Sequence, residues 1–161
     1  MQIIKNRALV EDSWQLLEMD QPLVEGDIIV PFERWLSERE QLLAHKGAVG
    51  VKISGGQALS ELVKELAHFD LIALDFEKFA DGRCYSYARL LRERYHYSGE
   101  LRAVGDVMHD QLSYMERCGI NSFMLRPDQE LQDALRAFDD FTAYYQRAAD
   151  KVVPIQQQRH A

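Results

Sequence analysis

The chain has 161 residues and a mass of 18.7 kDa, 47% apolar and 28% charged, which fits one globular domain and excludes a disordered chain. A formal charge of −7, with no basic run, excludes long-range attraction to phosphate backbones, so nucleic acid is not an expected partner. No apolar run reaches the roughly 18 residues of a membrane helix, and the opening MQIIKNRALVEDSW lacks a signal-peptide core, so no membrane partner and a cytoplasmic location are expected.

Residues 1–23 read as an N-terminal β-hairpin, with RALV, a turn at Glu11-Asp12 and then SWQLLE. The hairpin either adds antiparallel strands to a sheet edge or clasps a second subunit, giving a homodimer. An α/β core follows over 24–150. IIVP at 28–31 is a short buried strand, and 32–45 is a helix with Phe32, Trp35, Leu36, Leu42 and Leu43 on one face. VGVKI at 49–53 is a second strand. Ser54-Gly55-Gly56 turns into a helix carrying Leu59, Leu62, Val63, Leu66 and Phe69. DLIALDF at 70–76 is the clearest strand, four apolar residues between two acids.

The loop EKFADGRC then leads to a helix with Tyr87, Leu90, Leu91 and Tyr95 inward. ELRAV is the fourth strand, 107–118 a helix striped by Met108, Leu112 and Met115, and SFML at 122–125 the fifth strand. Pro127-Asp128 opens a long helix to about residue 149, through Leu131, Leu135, Phe138 and Tyr145. Residues 151–161, with a proline and a glutamine run, read as a loose tail.

Five strands alternating with helices predict parallel strands joined by right-handed crossovers. The expected fold is α/β, a doubly wound five-stranded parallel sheet of flavodoxin-like or receiver-like order. The competing architecture is a half barrel that dimerises into a whole one, because eight β-α units do not fit this length.

In such a sheet, ligands bind beyond the carboxyl ends of the strands. Those ends carry Asp75, Lys78, Asp81, Arg83, Asp106 and Arg126, which are expected to converge there as a ligand or partner pocket. Arg83 and Arg126 would be the anion donors. Asp75 follows four core residues and needs a partner, such as Arg126 or Lys78, or a function. Asp106 and Asp128 stand where helix N-caps belong. Ser54-Gly55-Gly56 matches neither GxGxxG nor a P-loop and reads as a plain turn.

The five histidines have no HxxxH or HExxH spacing, so no metal site is expected. Cys84 and Cys118 form no CxxC, and two thiolates cannot hold a cluster needing four. No cofactor is evident, and no catalytic residue is assigned.

Two family resemblances follow from longer strings. FDLIALDFEKFADGRCYSYARLLRERY and ELRAVGDVMHDQLSYMERCGINSFMLRPDQELQDAL resemble a response-regulator receiver domain, with Asp75 at the phosphoacceptor position and Arg126-Pro127 in place of a lysine-proline pair. The acidic pair that holds Mg²⁺ there is replaced by Ile28-Ile29-Val30-Pro31, so Asp75 is not expected to take up a phosphoryl group. GDIIVPFERWLSERE, DGRCYSYARLLRERY, GELRAVGDVMHDQLSYMERCG and SFML resemble the bacterial family domain of unknown function 934.

That family is commonly described as an oxidoreductase involved in sulfite reduction, on the ground that its genes lie beside sulfite reductase genes. The resemblance implies a role in assimilatory sulfur metabolism. Without redox ligands in the sequence, an accessory component that binds sulfite reductase or its electron donor is favoured over independent redox catalysis. The alternative is a receiver-like signalling or interaction module that is not phosphorylated.

Overall fold

A computed structural model describes residues 1–78 and 82–139. Eight strands form one sheet: β1 (Gln2–Lys5), β2 (Ala8–Glu11), β3 (Gln15–Leu16), β4 (Ile28–Pro31), β5 (Val49–Ser54), β6 (Leu71–Phe76), β7 (Glu100–Gly105) and β8 (Ser122–Phe123). Their order across the sheet is β2-β1-β8-β7-β6-β5-β4-β3. β3 to β8 run parallel, and the β1–β2 hairpin adds to β8 antiparallel.

The doubly wound five-stranded sheet is therefore corrected to a mixed eight-stranded one. The five expected strands are present as β4 to β8, but they lie side by side in chain order. A doubly wound sheet needs a reversal of order, as does a receiver domain. Here each crossover steps the same way, so right-handed connections place every helix on one face. The core shows this directly. Phe32, Trp35, Leu42, Leu62, Ala88, Leu91, Leu112, Met115 and Phe138 all join one cluster with Ile28, Val51, Ile72, Leu101 and Phe123 of the sheet. The other face holds a small separate cluster of Ile29, Leu71, Ala73 and Val104, covered by Trp14 and Met124.

The chain itself forces the sheet to curl. β2 and β3 are opposite edges, yet only residues 12–14 separate them. Four residue steps reach roughly 14 Å, whereas eight flat strands would span about 34 Å. The edges must approach each other, and Trp14 fills the inside of the curl.

The helices are α1 (Phe32–Ser37), α2 (Arg39–Leu43), α3 (Leu59–Leu62), α4 (Arg83–Glu93), α5 (Leu112–Arg117) and α6 (Leu131–Arg136). The single helix expected over 32–45 is broken at Glu38. Ser37 Oγ donates to the Arg34 carbonyl at 3.1 Å, a back-bond that competes with the helical ladder. The helix expected to run to residue 149 begins at Leu131, with a 3₁₀ turn over Ala137–Asp139. Its remainder, Tyr145 and the tail at 151–161 lie outside the described residues.

The N-terminal hairpin also differs from expectation. Its turn is Asn6-Arg7, both at positive φ, not Glu11-Asp12. Two-residue turns of this hand usually carry Asn-Gly. Arg7 tolerates it under tertiary restraint: its guanidinium forks onto Glu116 at 2.7 and 2.9 Å and lies over the Phe138 ring. The segment expected as the hairpin's second strand instead crosses to the far edge and pairs, parallel, with β4.

No helix among the described residues is long and apolar enough to cross a membrane.

Candidate functional site

β5 and β6 carry the site. Side chains alternate across a strand, so Val51 and Ile53 enter the helix-side core while Lys52 and Ser54 face the inside of the curl. On β6, Leu74 and Phe76 enter the same core, and Asp75, opposite Ser54 in register, faces inward. A cavity of about 430 Å³ opens here, at the carboxyl ends of the parallel strands, lined by Glu18, Pro31, Glu33, Lys52, Gln57 and Asp75 among others.

Lys52 Nζ stands between two carboxylates, 3.5 Å from Glu18 and 3.7 Å from Asp75. Burial pushes the Asp75 carboxyl above its ordinary 3.8, and the Lys52 charge opposes this without cancelling it. The rim is pinned. Gln57 accepts from the Ser54 N–H at 2.8 Å and donates to the Glu33 carboxylate. Tyr87 on α4 donates to the Gln57 carbonyl at 2.6 Å. Arg34, almost wholly buried, donates to the Glu18 carbonyl at 2.6 Å and pairs with Glu38, which holds the segment after β3 over the mouth.

The raised Asp75 has a stability consequence. A carboxyl with a raised folded pKa favours folding below its unfolded value and loses that contribution as pH rises through the folded one. Asp75→Asn should therefore gain stability relative to the parent between about pH 4 and about pH 7. Urea midpoints at both values measure it. A gain that shrinks toward pH 7 would show that Lys52 outweighs burial.

Gly105 closes the wall behind Asp75. Its φ is +89°, and a Cβ there would sit 2.5 Å from Asp75 Oδ1 and 2.8 Å from the Phe76 carbonyl oxygen. Gly105→Ala combines left-handed strain with a clash and should cost about 1–3 kcal/mol. An unfolding midpoint unchanged within error would contradict this geometry.

The six residues expected to converge are distributed as follows. Asp75 takes Lys52 as its partner. Arg126 is engaged by Asp106 at 2.9 Å and Asp128 at 3.0 Å, a solvent-accessible trio, half-buried at Arg126 and Asp106, of the kind that contributes little stability. Lys78 is exposed, Arg83 is exposed at the start of α4, and Asp81 lies outside the described residues. Lys52 and Glu18 were not singled out from the sequence. The signal was a lysine inside VGVKIS, in phase with Ser54. Both cysteines are buried and unbridged. Among the described residues no cluster of three His, Cys, Asp or Glu is placed to hold a metal ion.

A second inward cluster lies at the amino ends. Arg102 on β7 bonds Asp12 at 2.9 Å and Glu100 at 2.8 Å, and Lys5 on β1 bonds Glu100 at 2.6 Å. These charges satisfy one another and tie the hairpin and the crossing segment to the sheet.

The scaffold is thus a sheet with helices on one face, rolled toward a barrel, with a charged mouth where such scaffolds carry ligand sites. The chain belongs to the family described as Bacterial protein of unknown function (DUF934), whose model matches residues 50–156. No curated protein and no solved structure matches it. The resemblance to domain of unknown function 934 is thereby established. The match begins inside β5 and leaves β1 to β4 outside it.

Proposed function

We propose that this chain is an accessory component of assimilatory sulfite reduction in the cytoplasm, acting by binding sulfite reductase or its electron donor rather than through a redox cofactor of its own. The pathway rests on what the family resemblance implies. The binding mode rests on where apolar surface is left uncovered. Among the described residues seven large apolar side chains are exposed, and four of them, Leu16, Met19, Leu36 and Leu43, come from the β3 margin and the adjoining α1 and α2. Arg34 joins α1 to the segment carrying Met19. β3 is also an edge of the sheet, the kind of position where a partner strand or apolar face can add. On the same reading a second copy joins through β2, the opposite edge.

Binding of the purified chain to sulfite reductase and to its electron donor tests the proposal. One of the two should bind, and Leu36→Glu with Leu43→Glu should weaken it at least tenfold while the unfolding midpoint is retained. Absence of binding to both, or binding untouched by the two charges, would refute this mode.

A further inference from the structure

The mouth offers chemistry that partner binding does not use. Among its described lining residues Lys52 is the lone cation. Its contacts, at 3.5 and 3.7 Å, are longer than the roughly 2.7–2.9 Å of a formed charge-assisted bond. The ammonium therefore keeps donor capacity for another oxygen. Asp75 stands on the neighbouring strand, its carboxyl held against Gly105. Glu18, Glu33, Asp75 and Glu77 against Lys52 give the lining a formal −3, which turns away anionic ligands. A cavity of about 430 Å³ lies within the range of small-molecule sites.

We propose that this mouth binds a small uncharged carbonyl compound and that Lys52 and Asp75 move a proton on it. Lys52 Nζ donates to the carbonyl oxygen. Asp75 takes a proton from the adjacent carbon: the C–H bond breaks, an O–H bond forms on the carboxyl, and the electron pair passes to the carbonyl oxygen as an enolate beside the ammonium. Return of the proton to carbon or oxygen closes the step with no oxidant or reductant. Burial of Asp75 strengthens it as a base, which suits proton abstraction.

Proton exchange tests this directly. Dihydroxyacetone and hydroxyacetone are incubated with the full chain in D₂O, and loss of the C–H signals is followed by proton NMR. Exchange at least tenfold above buffer is expected. Asp75→Asn and Lys52→Met should each remove nine-tenths or more of that excess, and Lys52→Arg should retain part of it. Circular dichroism confirms that each variant is folded, and Lys52→Arg stands in if Lys52→Met is not. Exchange no faster than buffer, or undiminished in Asp75→Asn, would overturn the proposal. A borohydride-trapped adduct on Lys52 would replace it with imine chemistry.

Discussion

Arg102→Met should destabilise the protein by roughly 3–5 kcal/mol, the cost of stranding buried carboxylates without their counter-charge. Arg102 and Asp12 are 1% and 2% exposed, and Glu100 is 7% exposed. Lys5 can still serve Glu100, so Asp12 bears most of the loss. Replacing Asp12, Glu100 and Arg102 together by apolar residues should cost far less, because no buried charge is then left orphaned and the Lys5 ammonium is partly exposed to water. The network also sets the acid limb. Burial alone would raise the Glu100 carboxyl, but the Lys5 hydrogen bond and the Arg102 charge outweigh it and hold it below 4.5. Its contribution is present above the unfolded value and lost as pH falls through the folded one. Glu100→Gln should therefore flatten the decline of stability below about pH 4.5. Urea unfolding across pH measures all three, and an Arg102→Met loss under about 1 kcal/mol would contradict a buried network.

A fragment confined to residues 50–156 should not fold cooperatively. It matches the family model, yet it lacks β1 to β4, half the strands of the sheet. Ile4 no longer pairs with Phe123, Val51 loses Val30, and Trp14 no longer covers the inner apolar cluster. New bare edges and the inner sheet face are then open to water, which favours aggregation. The full chain should show one thermal transition and the fragment none. A sharp transition in the fragment would mean that the curl does not depend on the N-terminal strands.

β4 to β8 were legible because each is a short apolar run bounded by turns, and the helices because their stripes repeat at helical spacing. Strand order was not. Alternating β and α segments specify crossovers, but reversal of order depends on whether both sheet faces must be covered. The clue lay in the strands themselves. In ELRAVG, Glu100, Arg102 and Val104 alternate with Leu101 and Ala103, and in VGVKIS, Lys52 and Ser54 fall in one phase. Such alternation marks a sheet with one helix-covered face. The hairpin was misread because Asn6-Arg7 lacks the glycine that usually signals its turn, and Arg7 is restrained by Glu116, over a hundred residues away. Asp75 was legible as a carboxylate in need of a partner. Its partner was not, because Lys52 sits within a strand, where a lone polar residue in an apolar run reveals its phase but not what it faces.

Growth on sulfite as the sole sulfur source tests the proposed role most directly. A strain lacking the protein should fail to grow on sulfite yet grow on sulfide. The parent chain should restore growth, and Leu36→Glu with Leu43→Glu should not, at equal protein level. Normal growth of the deletion strain on sulfite would contradict a role in sulfite reduction.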